Sequence, residues 1–128
     1  MERQVNIVIS PTSEQTHTVL VADDNADLLE TMADALELDG YPVLRAHNGK
    51  EALELAADDS ICLILLDLSL PVMNGWEFLE QRKRIPRLAM IPVVVISAYA
   101  SPKPLDADGL LQKPVTLDTM RRLVKCYC

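Results

Sequence analysis

Polar side chains directly follow four short apolar runs of the sequence, and their types suit chemistry on a phosphoryl group. They comprise three carboxylates, a hydroxyl and an amine: Asp23, Asp24, Asp67, Ser97 and Lys113. If the first and third of the predicted strands are neighbours in one sheet, the carboxylates crowd together, repel one another and favour a bound cation. Oxygen ligands without His or Cys suit a hard ion, and Mg²⁺ fits better than Ca²⁺ because few protein carboxylates are present. The amine and the hydroxyl would then stabilise a phosphoryl group.

The elements that must position these side chains alternate along the chain between strands and helices. Ile61–Leu66 is continuously apolar, which is typical of a strand covered on both faces. The alternation of strands and helices predicts an α/β fold, in which a parallel sheet of five strands lies between helices. In such folds, ligands bind beyond the carboxyl ends of the strands. The predicted strands are Val19–Ala22, Pro42–Ala46, Ile61–Leu66, Val93–Ile96 and Gly109–Gln112. The predicted helices run from Asn25 to Leu38, from Lys50 to Ala57, from Asn74 to about Ile85, and along Leu117, Met120, Leu123 and Val124.

Length and composition restrict the classes of protein. The chain has 128 residues, 49% of them hydrophobic, and a formal net charge of −7, which predicts one domain and argues against direct contact with nucleic acid or anionic lipid. We expect residues 1–17 to be a mobile N-terminal extension and residues 18–128 to form the domain. There is no apolar run of about 20 residues and no secretory signal, so we expect a cytoplasmic protein that does not bind membranes.

The cysteines show no metal-binding spacing. There are three, Cys62, Cys126 and Cys128, so they cannot all pair with one another. In a cytoplasmic protein, reduced thiols are the default state. We therefore predict free thiols at all of these positions.

Taken one at a time, the polar residues have ordinary explanations. An Asp after a strand is more often a turn residue or a helix cap than a ligand. A hydrolase of the haloacid dehalogenase kind would have Asp-x-Asp after its first strand, where this chain has Asp23, Asp24 and Asn25. A flavodoxin-like protein would have a hydroxyl-rich or glycine-rich phosphate loop there, and acidic residues have the wrong sign for phosphate unless a metal is bound.

Taken together and in order, the motifs resemble the receiver domain of two-component response regulators. The resemblance extends over nearly all of residues 18 to 128 and implies a doubly wound sheet with strand order 2-1-3-4-5. The matching segments are Val19–Asn25, Leu66–Gly75, Val95–Tyr99 and Gln112–Pro114.

The resemblance implies a role for each acidic residue. Asp67 would accept a phosphoryl group from a sensor histidine kinase or a phosphotransfer protein. Mg²⁺ would be the cofactor, bound directly by Asp24 and Asp67, by the backbone carbonyl of Ser69, and through water by Asp23.

The resemblance also implies the parts that respond to phosphorylation. Lys113 would pair with the acceptor carboxylate and then with the phosphoryl oxygens, and Ser97 would turn to bond the phosphate. The Lys113–Pro114 peptide bond would be cis.

In two respects the sequence departs from the family pattern. The usual switch aromatic, three residues before the lysine, is replaced by Leu110, and Tyr99 is a candidate to serve in part and to slow hydrolysis of the phosphoryl group. Ser97 and Lys113 are also closer in sequence than is usual in the family. We therefore predict a shortened fourth helix, reduced to a turn between Ala98 and Asp108.

The resulting prediction is a signalling switch that accepts phosphate, changes its binding of a downstream protein target, and catalyses only its own phosphorylation and dephosphorylation. We expect a stand-alone domain that is a monomer or a weak homodimer. One alternative is a degenerate receiver that acts as a phosphorylation-independent interaction module, for which Leu110 and the short connection argue. A metal-dependent phosphatase is disfavoured because the sequence offers no further general acid.

Overall fold

A computed structural model describes residues 17–98 and 106–128 of the chain. Within these residues, each of the first three strands is followed by a helix, and a second, short helix precedes β4. The strands are β1 (Thr18–Ala22), β2 (Val43–Ala46), β3 (Ile61–Leu66), β4 (Val93–Ser97) and β5 (Gly109–Gln112). The helices are α1 (Ala26–Leu38), α2 (Gly49–Leu55), α3 (Gly75–Lys83), α4 (Pro86–Ala89) and α5 (Leu117–Tyr127).

The strands form one parallel sheet with the order β2-β1-β3-β4-β5, which confirms the predicted fold class. β1 and β3 are neighbours, and Ala22 pairs in register with Leu66 at their carboxyl ends. The residues that follow these two strands, Asp23 and Asp67, therefore emerge side by side at one edge of the sheet.

The core has two layers because β3 is covered on both faces. Ile64 and Leu66 pack in a layer with Phe78 of α3, whereas Leu63 and Leu65 pack in the opposite layer with α1 and α5. Burial of each such side chain stabilises the fold by roughly 1.5 to 3 kcal/mol. The helical residues of the second layer include Leu29, Leu36, Met120 and Val124.

Side-chain caps determine where most of the helices begin. Asn25, where the first helix is predicted to begin, accepts a hydrogen bond from Leu28 N at 3.1 Å and is the N-cap of α1. Asn74 and Glu77 form a reciprocal capping box at the start of α3. The short helix α4 was not predicted; Pro86 begins it, and one turn is too short to show helical periodicity.

The prediction of free thiols is wrong for two of the three cysteines. Cys62 and Cys128 form a disulfide, with their Cα atoms 5.5 Å apart and 66 positions between them in sequence. Cys126 is free and exposed. The pairing arises because α5 packs against the sheet and brings Cys128, the residue after its end, to the start of β3. The sequence spacing does not reveal this proximity.

Two further predictions concern residues outside the described ranges. Residues 1–16 of the predicted N-terminal extension lie outside the described ranges. The domain boundary between residues 17 and 18 therefore stays a prediction. The predicted turn in place of a fourth helix falls mainly on residues 99–105, which also lie outside. Among residues 17–98 and 106–128, no helix combines the length and the apolar character that a membrane crossing requires.

Candidate functional site

Three carboxylates converge at the carboxyl edge of the sheet. Oxygen atoms of Asp23, Asp24 and Asp67 all lie within 4.8 Å of one another. The backbone places them there, because Asp67 N donates to Ala22 O at 3.0 Å and thereby continues the β1–β3 pairing. Asp23 and Asp67 are 2% and 6% exposed, whereas Asp24 is open to solvent. The cluster therefore combines two desolvated negative charges with one hydrated charge.

Lys113 supplies the compensating positive charge. Its Nζ donates to Asp23 Oδ2 at 2.8 Å and to Asp67 Oδ2 at 3.2 Å. Burial disfavours the ammonium form, but the hydrogen bond to Asp23 and the charges of both carboxylates outweigh this effect and raise the pKa of Lys113. The side chain thus stays protonated and bridges the two buried carboxylates.

Backbone amides hold the other oxygens of the same carboxylates. Asn25 N donates to Asp23 Oδ1 at 2.9 Å, and Ser69 N donates to Asp67 Oδ1 at 3.1 Å. Each buried carboxylate is therefore held between an amide and the lysine. Ser69 itself is exposed, on the loop that follows Asp67.

Gly75, the first residue of α3, fixes the backbone around Asp67. A Cβ atom at this position would lie 2.7 Å from both Asp67 O and Leu68 Cα, which is closer than such atoms approach in proteins. The glycine also donates from its N–H to Leu68 O at 2.9 Å. The sequence predicts a helix that begins at Asn74 and places Gly75 in a matching segment, but it does not predict this contact with Asp67.

Ser97 and Lys113 are linked through the backbone. Ser97 ends β4 and is almost fully buried, and its carbonyl accepts a hydrogen bond from Lys113 N at 2.7 Å. The Lys113–Pro114 bond is cis, the isomer that the resemblance implies. Leu110, in the position of the family's aromatic, is 45% exposed on β5. Tyr99 lies outside the described residues.

The carboxylate cluster suits a hard divalent cation. All three side chains offer oxygen, and Asp24 is accessible from solvent. Three close carboxylates held partly out of water fit such an ion, because it relieves their mutual repulsion.

The family model described as the response regulator receiver domain matches residues 19–125. The chain belongs to the response regulator receiver domain family. It is a receiver domain of two-component systems and thus a signalling switch. Receiver domains bind Mg²⁺ at an acidic site and interact with histidine kinases and downstream targets. Because this receiver domain has the acidic cluster and the lysine in contact, the degenerate alternative is not favoured.

Named relatives cover nearly the whole of this receiver domain. The polar-differentiation response regulator DivK of Brucella anthropi is 29% identical over 116 residues, which span 86% of this chain and 94% of the relative. The structure of the chemotaxis protein CheY4 of Vibrio cholerae, crystallised at low pH, superposes with a TM-score of 0.79 and 27% identity, covering 88% of this chain and 99% of that one.

A second similar structure contains a metal. It is the receiver domain of a sensor histidine kinase of Pseudomonas aeruginosa PAO1, with a magnesium ion coordinated in its active site cleft. Its TM-score is 0.79 at 20% identity, and the match covers 88% of this chain and 97% of that one. At this identity the similarity shows the fold alone.

Proposed function

We propose that this receiver domain accepts a phosphoryl group on Asp67, with Mg²⁺ bound, from a sensor histidine kinase or a phosphotransfer protein. The observation that carries the proposal is the contact of Lys113 Nζ with Asp67 Oδ2, in a cluster that also contains Asp23 and Asp24. A buried carboxylate with a lysine and a cation-binding cluster beside it has what phosphoryl transfer needs, namely alignment and charge stabilisation.

Asp67 acts as the nucleophile. A carboxylate oxygen bonds to phosphorus while the bond from phosphorus to the donor's leaving group breaks, and the leaving group departs with the electron pair. The amide of Ser69 orients the carboxylate through its bond to Oδ1. Lys113, already hydrogen-bonded to Oδ2, then donates to an oxygen of the attached phosphoryl group.

The metal site consists of the acidic residues of the same edge. Asp24 and Asp67 would hold Mg²⁺ directly, together with the carbonyl of Ser69, and Asp23 would contribute through water. When bound, the ion neutralises negative charge on the phosphoryl oxygens. Asp24 is the solvent-exposed member of the cluster, so it would hold the ion on the side that is open to water.

Ser97 reports the phosphorylated state. Its hydroxyl would donate to a phosphoryl oxygen, and its backbone carbonyl accepts a hydrogen bond from Lys113 N. Leu110 carries no aromatic ring, so it cannot act as the family's switch aromatic does. The change at Ser97 is therefore passed to the downstream protein through another part of the surface. The product of the switch is a changed affinity for a downstream protein, and the domain catalyses only its own phosphorylation and dephosphorylation. We further propose a cytoplasmic monomer or weak homodimer without direct nucleic-acid binding.

The test is direct phosphorylation of the full chain. The protein is incubated with Mg²⁺ and acetyl phosphate, and its intact mass is measured. We expect a gain of one phosphoryl group that Asp67→Asn abolishes and that removal of Mg²⁺ by a chelator prevents. Asp59→Asn is the matched control, because it changes the same residue type at an exposed position. No gain, or a gain that persists in Asp67→Asn, contradicts the proposal.

A further inference from the structure

The disulfide lies near the amino ends of the strands, whereas the acidic cluster lies at their carboxyl ends. Cys62 is the second residue of β3, and Asp67 follows the last residue of the same strand. Five residues of strand span about 16 Å, so the sulfur pair lies well away from the phosphoryl-acceptor site. Cys128, its partner, follows the last residue of α5.

We propose that Cys62 and Cys128 form a reversible redox-modification site, which acts as a second input besides phosphorylation. The expected cytoplasmic location favours thiols, whereas the fold brings these two sulfurs together. Disulfides in reducing compartments are usually transient and redox-sensing. A cysteine pair that is oxidised or reduced according to the thiol–disulfide balance of its surroundings is consistent with both the expected location and the disulfide of the fold.

The fold accommodates the reduced pair as well as the oxidised one. Cys62 Sγ lies 3.3 Å from Thr18 O, so a thiol at this position has a hydrogen-bond acceptor in place. Both cysteines also pack in the apolar layer that contains Met120 and Val124 of α5. Since cysteine behaves there as a small apolar side chain, the body of α5 keeps its packing through Met120 and Val124 when the covalent bond is absent.

The exposure of the two sulfurs sets the order of the exchange steps. Cys62 is buried and Cys128 is only half-buried, so Cys128 reacts first. Its thiolate attacks a small disulfide such as glutathione disulfide and releases one thiolate. The Cys62 thiolate then attacks the Cys128 sulfur and releases the second. Two electrons and two protons pass in total from the cysteines to the small disulfide.

The third cysteine is excluded by helix geometry. Cys126 is exposed and lies two residues before Cys128, which places it on nearly the opposite side of α5, because each helical residue turns by about 100°. It therefore cannot reach Cys62 while α5 is intact. This makes Cys126→Ser the matched control.

The structural consequence is confined to the end of α5. Cys128 N donates to Val124 O at 2.8 Å in the last turn, which also carries the exposed Tyr127. The disulfide ties this turn to β3, and reduction leaves it free to fray. The redox state therefore decides whether the C-terminal turn is presented as a rigid surface, while the phosphoryl-acceptor site is unchanged.

The experiment equilibrates the full chain in buffers with increasing ratios of glutathione disulfide to glutathione. Free thiols are then alkylated with iodoacetamide and counted by intact mass. We expect a transition from three alkylated cysteines to one, reversed by excess glutathione, with peptide mapping that links Cys62 to Cys128. Cys126→Ser should show the same midpoint, with two alkylated cysteines falling to none, whereas Cys128→Ser should abolish the intramolecular link.

Thermal melting and phosphorylation complete the test. The oxidised chain should melt about 10 °C above the reduced chain, because the cross-link closes a long loop. Both forms should take up phosphate from acetyl phosphate equally. Three free thiols in excess glutathione disulfide, a link to Cys126, or a disulfide that excess glutathione leaves closed overturns the proposal. Since the thiol count needs no phosphorylation, this proposal and the phosphoryl-acceptor proposal fail independently.

Discussion

The Nζ atom of Lys113 lies 2.8 Å from Asp23 Oδ2, although the two residues are 90 positions apart in the sequence. The same ammonium group reaches Asp67 Oδ2 at the longer distance of 3.2 Å. Asp23 is also the more deeply buried of the two carboxylates. Lys113 thus serves as the internal counter-charge of the acidic cluster before any cation binds.

Replacing this lysine by methionine, Lys113→Met, should lower the free energy of unfolding in the absence of Mg²⁺ by about 2 to 4 kcal/mol, because it leaves buried carboxylates unpaired. Added Mg²⁺ should restore part of the loss, since the ion then supplies the missing charge. Urea unfolding with and without Mg²⁺ measures both effects. Lys83→Met, which breaks a surface pair with Glu80, should change stability by less than about 0.5 kcal/mol. Equal losses in the two variants would contradict the assignment.

The contact of Gly75 with the Asp67 backbone predicts that Gly75→Ala reduces phosphorylation. The new Cβ would need to displace Asp67 O, so we expect the initial rate of mass gain with acetyl phosphate to fall at least about tenfold, since small misplacements of reacting groups are costly. Gly109→Ala is the control, because its Cβ would lie 3.5 Å from Val94, an ordinary contact. A Gly75→Ala protein that is phosphorylated at the normal rate would disprove the role of this contact.

Arg82 provides a third prediction, about the structure near the end of the β4–β5 connection. The side chain is almost fully buried and donates to Ile91 O at 2.6 Å, to Ala89 O at 3.3 Å and to Asp106 O at 3.3 Å. Lysine cannot reach these carbonyls at the same time, so Arg82→Lys should destabilise the fold by about 2 to 4 kcal/mol. Chemical denaturation measures this, with the exposed Arg84→Lys as control. A loss in Arg84→Lys as large as in Arg82→Lys would show that burial of the guanidinium is not the cause.

Acid should destabilise the protein through its surface ion pairs. A hydrogen bond from Arg45 lowers the pKa of Glu37, and one from Arg121 lowers the pKa of Asp39. Both carboxyls bind protons less readily in the folded state than in the unfolded chain. Their stabilisation is therefore complete above the ordinary values of 4.5 and 3.8 and is lost as pH falls through the lowered ones.

Thermal melting from pH 7 to pH 3 tests this window, and the midpoint should fall mainly below about pH 4.5. In Arg121→Gln the melting midpoint should fall less steeply as the pH is lowered, because Asp39 loses its partner. Arg122→Gln removes the same charge from the same helix without touching Asp39, and its midpoint should still fall steeply. An unchanged, steep fall in Arg121→Gln would contradict a stabilising role for the Asp39–Arg121 pair. In the unmodified protein, added salt should make the fall of the midpoint with pH less steep, because salt screens the surface ion pairs.

Much of the fold and part of the site can be predicted from local sequence. Continuous apolar runs mark the strands, and Asn25 marks the start of α1. The convergence of Asp23 and Asp67 follows from one rule, that parallel neighbours bring their carboxyl ends to the same edge. By contrast, the one-turn helix α4 lacks the length that periodicity requires, and the closeness of Gly75 to Asp67 depends on how a loop folds back.

The element types, the parallel sheet and the set of polar residues at its carboxyl edge can be predicted from the sequence, because they depend on periodicity and chain order. The folded structure was needed to show that Lys113 bonds to Asp23 as well as to Asp67, and that Cys62 pairs with Cys128 and not with Cys126. Those distances join residues 46 to 90 positions apart. They depend on how α5 and the β5 end pack on the sheet, which is a property of the whole core and not of any local stretch.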